Sequence, residues 1–414
     1  MKPARLAVAL VLVISSGHLS VAEGQVTRVR RAVLNEVERK AEEVAVNATR
    51  CVLGNDRCVT AARSANRPVV ITDQDDRIIT DAMGRPVSDQ AEAARLRQRP
   101  GDGVWRNYDF VPGSTVWRAT DFSHEPVGRF PASQVEFVSG NMQVVEFEGS
   151  KVLEATSNSV VKVTLPQALP KAFTIEFSLR VPTANIATQV FTSPRSGAIA
   201  KHPFDYLYLY HTPGIYRMGK ELTGSRMGSL VGKTVPVKLQ VRDNWAILYV
   251  GADRVAQAPT ANVGRGDAVE FHLSATARFP TYLSDIVVAV GLDPLYEALS
   301  TTGEYTTRGI LFDSDSDRLR PESTPTLREL LTALTDHADL RIQIVGHTDA
   351  QGEEAHNQDL SQRRAAAVVA YLINNGVAAD RLTSDGRGES IPVADNATAE
   401  GRQQNRRVVI RRQS

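Results

Sequence analysis

Cysteine is scarce. The 414-residue chain has two, which excludes a disulfide-rich scaffold, a multi-cysteine zinc module and an iron–sulfur cluster built by this chain alone. A basic excess is missing as well. Lysine and arginine number 48 against 47 aspartate and glutamate, so nothing in the overall charge advertises nonspecific nucleic-acid binding. The N-terminal apolar run, Leu6 to Ile14, falls far short of the roughly 20 residues that span a bilayer as a helix. What is present is 42% hydrophobic and 23% charged residues, enough for packed interiors and too apolar for a largely disordered chain. At about 150 residues per domain, this length predicts a multidomain protein with two or three cores.

Lys2 and Arg5, the Leu6–Ile14 run, and Ser20-Val21-Ala22 with small outer residues read as a secretory signal peptide over residues 1–22, cut after Ala22. A membrane anchor is the alternative, disfavoured by length. No cysteine near the cut offers a lipidation site, so the mature chain is expected to be exported without a lipid. In an oxidising compartment Cys51 and Cys58 then read as a small disulfide loop, with two free thiols as the alternative. Their spacing is not Cys-x-x-Cys, which argues against a redox-active pair.

Residues 23–103 divide into a helix and a connector. Val26, Val29, Val33, Val37, Ala41 and Val44 recur at spacings of three and four, the mark of an N-terminal amphipathic helix. Residues 60–103 read as a lightly structured connector containing a strand-like Val69-Val70-Ile71, and Pro100-Gly101-Asp102-Gly103 marks a boundary. From 104 to 292 the pattern becomes short alternating runs. Phe173, Ile175, Phe177, Leu179 and Val181 alternate with polar residues, and similar runs cover Val144–Phe147, Val160–Leu165, Tyr206–Tyr210, Val235–Val241, Trp245–Val250, Val269–Leu273 and Ile286–Val290. So many strands predict an all-β antiparallel sandwich or a barrel. An outer-membrane barrel is the runner-up, disfavoured by strands shorter than about nine residues and by Pro236 inside one of them.

Within that region Asp121-Phe122-Ser123, Gly128-Arg129-Phe130-Pro131 and Phe137-Val138-Ser139-Gly140-Asn141-Met142 resemble concanavalin A-like jelly-roll domains. Some jelly rolls are glycosidases, which need paired carboxylates across a sugar cleft. Glu146 and Glu148, spaced to share a strand face, are the nearest candidates. The acidic signature of laminarinase-like enzymes, Glu-x-Asp-x-x-Glu, is absent, so a hydrolase is the minority reading.

Residues 293–304 read as a linker, and 305–414 as an α+β domain of order βαβαββ. Ile310-Leu311-Phe312 is the first strand. Thr324 offers an N-cap with Pro325 at the first helical position, and Leu327, Leu330, Leu331 and Leu334 trace one helix face. Leu340, Ile342 and Ile344 alternate as a strand, and a second helix is expected from an N-cap at Ser361 to a stop at Gly376. Three ordered motifs follow this frame: Gly346-His347-Thr348-Asp349-Ala350-Gln351-Gly352, then Asn357-Gln358-Asp359-Leu360-Ser361-Gln362-Arg363-Arg364-Ala365, then Gly401-Arg402-Gln403-Gln404-Asn405-Arg406-Arg407-Val408. Together they resemble the OmpA-like peptidoglycan-binding domain. Gly386-Arg387-Gly388-Glu389 and Pro392 also fit, although Arg387 stands where an aromatic is common.

The resemblance implies a receptor for the diaminopimelate of a peptidoglycan stem peptide, whose far end carries an ammonium and a carboxylate. Asp349 would receive the ammonium and Arg364, placed in the first turn of the second helix, would fork onto the carboxylate. The amides at that helix's N-terminus would add positive potential. Thr348, Asn357, Leu360 and Arg407 would line the groove. Without the resemblance, Asp349 and Arg364 read as an internal salt bridge. His347 and His356 lack a third metal ligand at zinc spacing, so no metal is expected, and His347 is read as a support for its loop. Arg402, Arg406, Arg407, Arg411 and Arg412 form a basic cluster, for which cell-wall contact is favoured over nucleic acid. The sum is a noncatalytic, cofactor-free periplasmic protein associated with peptidoglycan and the outer membrane, tethering a sandwich that meets carbohydrate or an envelope protein. A wall-anchored glycan hydrolase and a membrane barrel with a periplasmic anchor are the alternatives.

Overall fold

A computed structural model of the protein describes residues 48–413, apart from 73–77, 80–86, 91–92, 95–97, 184–185, 195–196 and 226–230. The signal segment and the Val26–Val46 helix expected from the sequence lie outside the described residues. The chain divides into two compact units, Met1–Arg97 and Gln98–Ser414.

In the first unit, strand Thr49–Val52 pairs in parallel with Val69–Thr72, and helix α1 (Asp56–Ser64) connects them. Asn55 Oδ1 caps that helix by accepting from the Cys58 amide at 3.1 Å, leaving one fewer orphan N–H. A disulfide joins Cys51 on the strand to Cys58 on the helix. Val59, Ala62, Val69, Ile71, Ile79 and Val87 pack around Cys51. Residues 60–72 of the lightly structured connector expected over 60–103 therefore belong instead to a packed βαβ unit. Its apolar residues are spread too thinly to show a period, and so small a core is one that a disulfide usefully supplements.

The sandwich has two sheets. One orders its strands Lys220–Gly224, Gly214–Arg217, Tyr206–Leu209, Thr188–Phe191, Ala268–Leu273, Ser159–Thr164, Glu136–Ser139. The other runs Asp253–Ala258, Trp245–Val250, Val235–Arg242, Ala172–Arg180, Thr281–Val290, Ser150–Ala155, Met142–Phe147, with Thr115–Thr120 also pairing on Thr281–Val290. Phe173, Ile175, Phe177 and Leu179 from the second sheet meet Val161, Val163, Leu207 and Phe271 from the first in one core. The period-2 alternation places these side chains inward. The described strands form two open sheets over a filled interior, so the closed-barrel alternative is set aside.

The C-terminal domain is a four-stranded sheet ordered Glu304–Thr307, Val408–Gln413, Arg341–Gly346, Leu382–Gly386, its last pair parallel. Helices α2 (Leu295–Thr301), α3 (Thr324–Asp336), α4 (Glu354–Asn374) and α5 (Ala399–Asn405) complete it. Several expectations are corrected here. The 293–304 linker holds α2, whose Leu295 and Leu299 enter the domain core. The first strand is Glu304–Thr307, whereas Phe312 forms only an isolated bridge to Leu319. Helix α5 interrupts the expected βαβαββ order before the last strand. Helix α4 starts at Glu354, not at Ser361: the Ser361 hydroxyl donates to Gln358 O at 2.9 Å and accepts from the Gly388 amide at 2.8 Å, bracing a loop rather than capping. Arg364 therefore lies ten residues inside α4, not in its first turn.

Two glycines set how α4 meets the sheet. Gly346 and Gly386 face each other across the parallel pair. A Cβ on Gly346 would run into the Ser361 carbonyl, and one on Gly386 into the Gln362 amide. Helix backbone thus rests directly on strand backbone, which brings α4 beside the loop that leaves Gly346.

Helix α5 docks on the sandwich. Gln404 Nε2 donates to Ser114 O at 2.9 Å while its Oε1 accepts from the Val116 amide at 2.7 Å. Arg402 pairs with Asp121 at 2.7 Å and Glu400 with Arg118 at 3.2 Å. Ala399 packs against Ala119, Val287 and Ala289. The joint between the two domains is a packed and hydrogen-bonded contact.

Candidate functional site

The 347–352 loop, α4, the 308–315 segment and the start of the last strand enclose a cavity of about 690 Å³, within the roughly 300–1,000 Å³ usual for ligand pockets. Thr348, Asp349, Asn357, Leu360, Arg364 and Arg407 all line it, so the fold assembles all six residues singled out from the sequence.

Asp349 and Arg364 share the cavity without pairing to each other. Asp349 accepts from Arg406 and from the Gln351 amide. Arg364 donates to Ser316 O at 2.9 Å and Asp313 O at 3.2 Å, and its guanidinium lies 5.1 Å from the centre of the Phe312 ring. The internal Asp349–Arg364 salt bridge is replaced by an Asp349–Arg406 pair. Burial pulls the Arg364 guanidinium below its ordinary pKa, partly offset by Asp315, Asp317 and Asp349. Its carbonyl partners satisfy two N–H groups without cancelling its charge.

Asn357 is buried and its amide nitrogen is engaged with Asp349 O at 3.3 Å, Gln351 O at 3.0 Å and Glu389 Oε2 at 2.5 Å. It holds the loop that presents Asp349. Arg407 donates to Ile391 O at 3.1 Å and Asn405 O at 3.4 Å. The His347 ring offers its loop no hydrogen bond, because neither ring nitrogen has a partner among the described residues. Burial first, and then Arg407, Arg411 and Arg387, lower its pKa to about 4, so the ring is neutral at pH 7. The α4 N-terminus borders the cavity through Gly352, His356 and Asn357, two turns and more from Arg364.

A family profile described as OmpA family matches residues 311–406. Outer membrane protein A of Serratia odorifera is 32% identical over 185 residues, covering 44% of this chain and 74% of that protein. The chain belongs to the OmpA family. Outer membrane protein A of Bordetella avium is 47% identical over 103 residues, 24% of this chain and 51% of that protein. Outer-membrane lipoprotein YfiB of Pseudomonas aeruginosa is 44% identical over 101 residues, 24% of this chain and 60% of that protein. This OmpA-family chain spans 12% to 60% of the length of four of its curated relatives.

The OmpA-family domain also brings residues to the cavity that sequence reasoning missed. Arg308, Phe312, Asp313 and Asp315 precede the first motif, and by sequence Arg406 reads only as part of a basic cluster. That cluster is dispersed in the fold: Arg402 pairs with Asp121, Arg406 with Asp349 and Arg411 with Glu304. His356 pairs with Asp315, and no metal-binding group of three or more His, Cys, Asp or Glu occurs among the described residues. In the sandwich, Glu146 lies on a strand, but Glu148 sits in a turn with φ +51° and binds Arg180 and Thr234. The two carboxylates do not share a strand face.

Proposed function

We propose that the protein is an exported, noncatalytic peptidoglycan-binding protein of the periplasm, which grips the diaminopimelate end of a stem peptide and carries a jelly-roll-like sandwich as a second binding module. Asp349 takes the ligand ammonium and Arg364 its carboxylate. The observation that carries this reading is one cavity holding an anion and a cation that do not neutralise each other. Ligand ammonium displaces Arg406 from Asp349, and ligand carboxylate receives the guanidinium edge that Arg364 has over. Membership of the OmpA family supports the assignment, as do the envelope proteins named among the relatives. In the sandwich, a cavity of about 540 Å³ lined by Phe204, Asn244, Asn262 and Arg265 offers an aromatic face and amides to carbohydrate or to an envelope protein.

Cosedimentation of the mature chain with purified diaminopimelate-type peptidoglycan tests this. Wild type should pellet. Asp349→Ala and Arg364→Ala should each lose about 2 kcal/mol or more of binding and stay in solution. Wild type remaining in solution, or folded variants pelleting equally, overturns the reading.

A further inference from the structure

Three residues lining the same cavity hold buried polar atoms without partners among the described residues: Arg308 Nε, both ring nitrogens of His347, and Thr348 Oγ1. The residues are 8%, 5% and 5% exposed. Buried polar groups in native proteins are nearly always partnered, so three such residues around one opening mark where a polar ligand group belongs. Their chemistry is donor-rich: a guanidinium N–H, a hydroxyl, and one N–H of a neutral imidazole.

Charge points the same way. Four arginines and three aspartates line the cavity. The aspartates are engaged, Asp313 by Arg318, Asp315 by His356 and Asp349 by Arg406. Arg364 and Arg407 meet only carbonyl oxygens among the described hydrogen-bond partners. Arg308 is tied to the sandwich, through Gly113 O at 3.0 Å and Glu176 at 3.7 Å, with its Nε left over. The depressed pKa of His347, held down after burial by three arginines, is a local probe of this positive potential.

We propose that Arg308, His347 and Thr348, with Arg407 beside them, form a second carboxylate subsite, which takes the chain-end carboxylate of diaminopimelate in stem peptides that stop at that residue. Diaminopimelate is a diacid: the carboxylate at its far end stands beside the free ammonium, and the other is free only when no further residue follows it. The subsite therefore selects tripeptide stems over stems in which that group is an amide. The sandwich supports it from outside the cavity, since Gly113 and Glu176 hold Arg308 in place. The inference rests on the diaminopimelate reading above.

The test is titration calorimetry on the mature full chain with three ligands: L-alanyl-γ-D-glutamyl-meso-diaminopimelate, the same peptide amidated at the chain-end carboxylate, and the lysine tripeptide that lacks the far-end carboxylate. The free acid should bind about tenfold or more tightly than its amide, and the lysine peptide should bind weakest. Arg308→Gln should bring the acid-to-amide ratio to about twofold or less while still separating diaminopimelate from lysine. Should that variant not fold, the acid and amide on wild type decide alone. Equal binding of acid and amide, with lysine rejected, overturns the subsite and leaves the diaminopimelate reading intact. Lysine binding as tightly as diaminopimelate overturns both.

Discussion

Acidification probes the positive lining of the cavity through His347. The residue is 5% exposed, and burial together with Arg407, Arg411 and Arg387 lowers its pKa from 6.5 to about 4. A base whose folded pKa lies below its unfolded value binds fewer protons when folded. The contribution of His347 to stability is therefore fully present above pH 6.5, falls as pH drops toward 4, and is lost in full below that. The interval from 6.5 to about 4, at 1.36 kcal/mol per pH unit, corresponds to roughly 3 kcal/mol. Native-state hydrogen exchange in the Arg341–Gly346 strand, which leads into His347, reads this locally without requiring the whole chain to unfold as one unit. His347→Gln keeps polar atoms at the position and removes the titration. Comparing it with wild type between pH 7 and pH 5 subtracts carboxylates that begin to protonate in the same range. Protection in wild type should fall relative to the variant by about 2 kcal/mol by pH 5. A ring proton titrating near 6.5 by NMR, or parallel profiles for the two proteins, would refute the reasoning.

Gly346→Ala and Gly386→Ala should each destabilise the C-terminal domain by about 3 kcal/mol, because the new methyl meets α4 backbone that has no rotamer to yield; thermal melts report it, and unchanged midpoints would contradict the close approach. Asp121→Asn removes the carboxylate from Arg402, which is 3% exposed, and should cost about 3 kcal/mol at the domain joint, visible as faster proteolysis between the sandwich and the C-terminal domain. The same joint should weaken in acid. Burial raises the Asp121 pKa, but hydrogen bonds from Arg402 and Ser123 outweigh it and hold the carboxyl below its ordinary value, so its contribution is present above the carboxylate range and lost as pH falls through the folded pKa. Reducing the Cys51–Cys58 bond should destabilise the first unit by about 2 kcal/mol, which amide exchange at Val69–Thr72 would detect.

The sandwich was legible where strands carry an inward apolar face, as from Phe173 to Leu179. Thr188–Phe191, Gly214–Arg217, Lys220–Gly224 and Glu136–Ser139 were not, being four or five residues long, with too few positions to display a period. The start of α4 was misplaced for a related reason. Glu354 to Asp359 is polar, and Ser361 is a good cap by type, yet Ser361 is fully buried and its hydroxyl serves the Gly388 loop. Propensity describes a residue in isolation, and tertiary contact decided its use.

The candidate site divides along the same line. Asp349 and Arg364 are visible because their motifs are contiguous stretches of chain, whereas Arg308 has no local signature and gains meaning only from Glu176 and Gly113, far away in sequence. Arg406 illustrates the limit in another way. Beside Arg402 and Arg407 it reads as one more basic residue, but α5 assigns the three to different tasks: Arg402 to the sandwich, Arg406 to Asp349, Arg407 to the cavity wall. One seven-residue helix is thus pinned to the sandwich by Gln404 and Arg402 and runs directly into the residue that guards Asp349. The segment that ties the C-terminal domain to the sandwich therefore also supplies the partner of Asp349, and on the proposed reading a ligand ammonium that released Arg406 would act on that same segment.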